Sequence, residues 1–109
     1  MKAIRIDSNS GKIEEVETTG KLPDLYRLIG CKYIEATRPR ILLGADILYV
    51  NEEGLLHGEN LFFKIAGFAQ PIAGNGLIVG TDEHGDSKDC DTPIGIVSQC
   101  VEFLFKAEG

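Results

Sequence analysis

The chain has few cysteines and none of the spacings that mark disulfide-rich or zinc-binding domains. Its 109 residues include only Cys31, Cys90 and Cys100, without a C-x-x-C pair. An odd number leaves one thiol unpaired in any intramolecular disulfide scheme, and structural disulfides are rare in reducing compartments. The first ten residues are typical of a strand rather than of a secretory leader. We therefore expect free thiols and a cytoplasmic protein.

Basic residues are also scarce. Lysine and arginine number 11 against 17 acidic residues, and the formal net charge is −6. Nucleic acids and anionic membranes are attracted by clustered Lys and Arg, so we expect no nonspecific nucleic-acid binding. No apolar run approaches the roughly 20 residues that span a bilayer, so we expect no membrane insertion. The acidity is typical of a surface that keeps a domain soluble.

Known catalytic motifs are missing. There is no GKT or GKS phosphate loop and no G-x-S-x-G nucleophile turn. Residues 74–80 have the spacing GxGxxxG, and an apolar strand follows where a dinucleotide loop needs a helix. The HGE of residues 57–59 lacks the C-x-x-C that completes a deaminase zinc site. The sequence predicts no catalytic residue, no metal ligand and no cofactor, which favours a binding protein over an enzyme.

Hydrophobic periodicity predicts a mixture of strands and helices within one domain, residues 1–109. A strand and its hairpin partner are expected at residues 2–7 and 12–18, the second with a bulge because Ile13 and Val16 do not alternate. Further strands are expected at residues 33–37, 41–50 and 77–81.

Helix signals are clearest at residues 23–29. Pro23 suits a first helical position and Gly30 suits the end, while Leu22, Leu25, Tyr26 and Ile29 share one face. Residues 93–105 follow a capping Thr92 and read as a helix, with a strand as the alternative.

Residues 55–69 are ambiguous, and a third helix is one interpretation of them. There Asn60 is able to cap a short helix carrying Leu61, Phe62, Ile65 and Ala66. Together the elements predict an α+β fold. It has a mostly antiparallel sheet of about five strands and two or three helices packed on one face.

The candidate site lies in the glycine-punctuated segment of residues 71–93. Glycines inside a strand weaken it unless the backbone bends or something approaches it closely. One interpretation is a tight Asn75-Gly76 hairpin turn. The other is a binding groove of exposed backbone whose edge gathers side chains from two turns. Its predicted residues are Asn51, Glu52, Gly74, Asn75, Gly76, Thr81 and Asp82.

The acidic end of this segment offers potential cation ligands in His84, Asp86, Asp89, Cys90 and Asp91. The position of Gly85 does not match a calcium-binding loop. A solvated acidic turn is therefore the preferred interpretation, with a metal-dependent hydrolase as the lowest-ranked alternative.

Six segments in order resemble a family of short uncharacterised proteins carried by phages, plasmids and other mobile elements of bacteria and archaea. They are KAIRID, EEVE, LPDLYRLIG, YIEA, LYVNEEG and PIAGNGLIVGTDEHG, spread over residues 1–86. The resemblance implies an accessory protein that acts on host physiology or defence, without implying a mechanism. Our first hypothesis is a non-catalytic protein that binds and modulates a host or defence protein. The second is a small-molecule binder that sequesters a nucleotide-like signal.

Overall fold

The computed structural model describes residues 1–53 and 61–105, which contain nine strands and two helices. The elements in chain order are β1 (Lys2–Asp7), β2 (Lys12–Glu17), α1 (Leu22–Ile29), β3 (Ile34–Thr37), β4 (Ile47–Asn51), β5 (Leu61–Ile65), β6 (Ile72–Ala73), β7 (Gly76–Thr81), β8 (Ser87–Lys88), α2 (Ile94–Cys100) and β9 (Val101–Phe105).

The strands form two sheets. The main sheet has the order β2-β1-β7-β4-β3, with β8 paired to β7, and the second sheet has the order β6-β5-β9. Every pairing among the described strands is antiparallel. The predicted α+β class and mostly antiparallel pairing are confirmed, with six and three strands in place of about five.

The main sheet is covered on both faces. On one face Leu25, Leu28 and Ile29 of α1 pack with Ala3, Leu77 and Val79. On the other face the second sheet and α2 supply Phe63, Ile65, Ile72 and Val97, which pack with Ile4, Ile6, Leu48 and Ile78. The predicted helical cover is thus divided, since α1 and α2 lie against opposite faces.

The hairpin of β1 and β2 shows why the predicted bulge is absent. Its register runs without interruption from Lys2 opposite Glu17 to Asp7 opposite Lys12. Ile13 and Val16 point to opposite faces of the strand and pack against the two different cores. A bulge is needed only if one face alone is buried, and here both are.

Helix α1 agrees with its sequence signals. Gly30 has φ 81°, and its N–H donates to the Tyr26 carbonyl at 2.8 Å. That left-handed conformation is the usual glycine end of a helix. The buried face contains Leu28 in place of the expected Leu22, whose side chain is 54% exposed.

The secondary structure of two ambiguous segments depends on the pairing of β5 with β9. Residues 61–65 form β5 rather than a helix, because β5 pairs along its whole length with β9. The proposed cap, Asn60, lies outside the described residues. Residues 93–105 contain both predicted states, α2 followed directly by β9. Thr92 does not cap α2, since its hydroxyl donates to Asp46 at 2.6 Å.

Candidate functional site

The seven predicted site residues lie at the two ends of β7. Gly74, Asn75 and Gly76 are at its start, and Thr81 and Asp82 are at its end. Val50 pairs with Gly76, so Asn51 at the end of β4 and Glu52 just after it lie beside the first group. A strand rises about 3.3 Å per residue, which separates the two groups by roughly 17 Å. The seven residues therefore do not form one contact surface.

The prediction of a tight hairpin turn at Asn75-Gly76 is wrong. The strands on either side belong to different sheets, because β6 pairs with β5 whereas β7 pairs with β1 and β4. Among the described non-glycine residues none has a positive φ, while Gly74 has φ 81°. A Cβ on Gly76 would lie 2.9 Å from Leu48 Cδ1 and 3.0 Å from Phe63 Cζ. A side chain at position 76 would therefore have to displace the buried side chains of Leu48 and Phe63.

Asn75 joins three parts of the fold through its side-chain amide. Its Oδ1 accepts from the Ser8 N–H at 2.8 Å, and its Nδ2 donates to the Ile29 carbonyl at 3.4 Å. The Ser8 hydroxyl donates to the Gly74 carbonyl. The side chain thus ties the end of β1 and the end of α1 to the segment between the sheets.

The side chains of Thr81 and Asp82 form hydrogen bonds within the fold. The Thr81 hydroxyl donates to the Ala45 carbonyl at 2.7 Å. Asp82 Oδ1 accepts from the backbone N–H groups of His84 and Asp86 at 2.8 and 2.9 Å, which closes the turn between β7 and β8. In residues 1–53 and 61–105, no three His, Cys, Asp or Glu side chains are grouped as metal ligands would be.

A cleft of about 200 Å³ opens between the two sheets beside β3. Its apolar floor consists of Val50, Phe68, Ile72 and Ala73, and polar side chains and Pro71 surround it. Those polar residues are Glu35, Thr37, Asn51, Glu52 and Gln70. None of the described lining residues is basic. We call this space the β3 cleft, and two predicted residues, Asn51 and Glu52, line it.

A second, more polar cavity of about 110 Å³ adjoins the β3 cleft at Asn51. It lies where β1 and α1 end, and its lining includes Gly74 and Asn75. The structure therefore brings Asn51, Gly74 and Asn75 together around this cavity. Because Asn75 uses its amide to join structural elements, we do not treat this cavity as the principal site.

The edge strand β3 carries backbone groups that point away from the sheet. The Glu52 N–H donates to the Tyr33 carbonyl at 3.0 Å. In an antiparallel ladder, hydrogen-bonded pairs alternate with non-hydrogen-bonded pairs, so Glu35 and Thr37 also bond towards β4. The N–H and C=O groups of Ile34 and Ala36 consequently face outward. The described part of the chain places no strand beyond β3.

Glu35 and Thr37 were not predicted as site residues. The segment YIEAT was recognised as a strand, and the nearby Pro39 was a usable signal, since proline is tolerated at sheet edges. What the sequence did not reveal is that the second sheet leaves a gap next to this edge.

Asp46 was also missed, although its role is structural. The residue is fully buried and accepts from the N–H groups of Asp91 and Thr92 and from the Thr92 hydroxyl. Four contacts of 2.6 to 3.0 Å satisfy its two oxygens. A single carboxylate within the apolar run of residues 41–50 was the available signal. Asp46 holds the acidic loop against the start of β4.

The residues with shifted pKa values are not among those that line the β3 cleft. Hydrogen bonds from Thr18, Arg27 and Thr19 lower the pKa of Asp24 to about 2. Burial raises the pKa of Cys31 and of Cys90, which disfavours the thiolate needed for nucleophilic chemistry. All three cysteines are unpaired in the structure.

Comparisons with known proteins place the chain by family alone. No curated protein and no solved structure matches it. In the described residues, no helix is both long and apolar enough to cross a membrane. The model of one family, described as a domain of unknown function (DUF3846), matches residues 1–97. That match covers most of the chain, which therefore belongs to the DUF3846 family.

Proposed function

We propose that this protein is a non-catalytic accessory protein that binds and modulates another protein through the β3 cleft. The observation that carries the proposal is the juxtaposition of an exposed edge strand with an apolar-floored, acidic-rimmed gap between two sheets. Open strand edges pair readily with other chains, and clefts beside them select side chains. The partner would be a host or defence protein of a cell that carries the phage or mobile element, as the resemblance of six segments suggests.

The size of the cavities supports a protein partner over a small molecule. Sites for drug-sized ligands are typically about 300–1,000 Å³. The β3 cleft and the adjoining polar cavity are about 200 and 110 Å³. The acidic rim would also repel the phosphates of a nucleotide. These features fit one or two side chains of a larger partner.

A small-molecule site remains the second candidate because of one further depression. It has a volume of about 350 Å³ and lies between Lys64, Phe68 and Cys100. A nucleotide-like ligand bound there should raise the melting temperature in a thermal-shift series. A metal-dependent hydrolase is the third candidate. Metal-dependent turnover that disappears in Asp86→Ala would support it.

The protein-binding proposal can be tested by affinity capture with matched charge reversals. Wild type, Glu35→Arg and Glu83→Arg are immobilised and exposed to lysate of the natural host cell. Glu35 rims the β3 cleft, whereas Glu83 is an exposed glutamate in the β7–β8 turn. We expect wild type and Glu83→Arg to retain a common protein that Glu35→Arg loses. Equal retention by all three, or retention of nothing by wild type, would contradict the proposal.

A further inference from the structure

We propose that the partner supplies an extended segment that pairs antiparallel with β3 and places a lysine or arginine over the β3 cleft. This inference rests on the proposed function and names the chemistry of its partner. It follows from the direction of the backbone groups on β3, the faces of its side chains and the distribution of charge around them.

The backbone of β3 fixes which positions of the partner form hydrogen bonds. Ile34 and Ala36 present their N–H and C=O groups outward, so partner residues opposite these two form the hydrogen-bonded pairs. Glu35 then faces a partner residue in a non-hydrogen-bonded pair. Side chains of such a pair lie on the same face and closest together. The partner residue opposite Glu35 therefore projects on the cleft side of the sheet.

The charge of the cleft selects a basic residue at that position. Glu35 and Glu52 both line the β3 cleft, and none of the described lining residues is basic. Arg38 follows β3, but its guanidinium donates to the Gly44 carbonyl at 2.9 Å. A lysine or arginine opposite Glu35 can lay its aliphatic stem over Val50 and Ile72 while its charge meets the carboxylates.

A second copy of the chain is a poor occupant of the same edge in the register centred on Glu35. Antiparallel pairing of two β3 strands around Glu35 would place Glu35 directly opposite Glu35 of the second copy. The same register sets Lys32 opposite Arg38, which is a second pair of like charges. Like charges directly opposite each other are destabilising in a sheet. The net charge of −6 on each chain adds to the repulsion.

The test uses a displayed library of random 12-residue peptides selected against the whole protein. We expect the peptides enriched on wild type to alternate apolar residues with Lys or Arg. Selection on Glu35→Arg should instead enrich Asp or Glu at the alternating positions. An enriched set without a basic preference, or no enrichment at all, would overturn the inference.

The backbone contribution is tested on the best wild-type peptide with two proline variants. Ala36→Pro removes an outward N–H of β3, and Glu15→Pro removes an outward N–H of the opposite edge, β2. We expect binding to weaken about tenfold or more in Ala36→Pro, which loses a backbone hydrogen bond and fits the added strand poorly. Glu15→Pro should stay within about twofold of wild type, as expected for a change that removes no contact with the peptide.

Weaker binding by Ala36→Pro has two explanations, unfolding of the variant and loss of strand pairing. Amide exchange in the wild-type protein tests strand pairing without the variant. Added peptide should slow exchange at Ile34 and Ala36. Unchanged exchange at both, or equal binding by a folded Ala36→Pro, would overturn strand addition. A dimer abolished by Ala36→Pro would instead identify a second copy as occupant. If Ala36→Pro still captures the lysate partner that Glu35→Arg loses, the proposed function stands and this inference fails.

Discussion

The two edges of the main sheet are built differently. The sequence of β2 is KIEEVE, in which four of six residues are charged, and α2 contacts this strand. The sequence of β3 is IEAT, in which Glu35 is the only charged residue. Charged side chains and covering elements are the usual protection against unwanted strand pairing. The β2 edge has more charge and a neighbouring helix, whereas β3 has a single glutamate.

This difference indicates where the protein can accept a partner. The outward backbone groups of β2 belong to Ile13, Glu15 and Glu17, since the Thr18 N–H donates to the Met1 carbonyl and sets the alternation. A pairing strand would have to lie beside those glutamates. On β3 the outward groups belong to Ile34 and Ala36, with the β3 cleft beside them. The lone Glu35 disfavours self-pairing and leaves a basic strand acceptable.

The largest effect on stability is expected at Asp46, whose carboxylate holds the acidic loop against the start of β4. Asp46→Ala should lower the free energy of unfolding by about 3 kcal/mol, because two backbone N–H groups and a buried hydroxyl lose their acceptor. Chemical denaturation measures the change. Asp89→Ala, which removes one exposed contact to the Lys2 N–H, should cost less than about 1 kcal/mol. Equal costs would contradict the anchoring role.

The second-largest effect on stability distinguishes the backbone groups of β3 that point towards β4 from those that point outward. Thr37→Pro removes an N–H that points towards β4 and should cost about 2 kcal/mol or more. Ala36→Pro removes an N–H that points outward and should cost under about 1 kcal/mol. Urea midpoints of the two variants make the comparison. A reversed order would show that the outward groups were assigned to the wrong residues.

An intermediate effect is expected near the middle of the sheet, where Asn75 precedes β7. Asn75→Ala should cost about 1–2 kcal/mol, because the Ser8 N–H loses a partly buried acceptor. Asn75→Gly should be at least as destabilising, since Asn75 has no positive φ for glycine to relieve. Thermal melts distinguish the variants. A stable Asn75→Gly would restore the tight-turn interpretation that the structure contradicts.

The smallest effect is a pH dependence of the stability that arises from Asp24, which accepts a hydrogen bond from Thr18 just after β2. The pKa of Asp24 falls from 3.8 to about 2 on folding, so its contribution to stability is present above pH 3.8 and is lost as pH falls towards 2. Asp24→Asn should therefore lose less stability than wild type over this interval. Denaturation midpoints at several acidic pH values provide the measurement. Parallel losses in both proteins would show that Asp24 does not contribute.

Much of the fold was predictable because its signals are local. The hairpin of β1 and β2, the glycine end of α1 and the buried run of β7 follow from alternation, capping and turn residues. The strand state of β5 was not local, since β5 forms by pairing with β9, far along the chain. The absence of the predicted bulge also depends on tertiary structure. Because the main sheet is buried on both faces, a regular strand can place Ile13 on one face and Val16 on the other.

The candidate site was only partly predictable. Asn51 and Glu52 were identified from a turn signature, and both line the β3 cleft. Glu35 and Thr37 were not identified, because their exposure depends on strand order and on the position of the second sheet. The conspicuous glycines also have structural reasons. A Cβ at position 76 would press on Leu48 and Phe63, and Gly74 has a positive φ.

Residue-resolved amide exchange by NMR examines the difference between the two edges in a single experiment. In the free protein, the amides of Glu35 and Thr37 should exchange slowly, and those of Ile34 and Ala36 should exchange quickly. Addition of a selected basic peptide should slow Ile34 and Ala36 and leave Ile13 and Glu15 of β2 unchanged. Protection of Ile34 and Ala36 without peptide, or peptide-induced protection on β2 in their place, would contradict the assignment of β3 as the pairing edge.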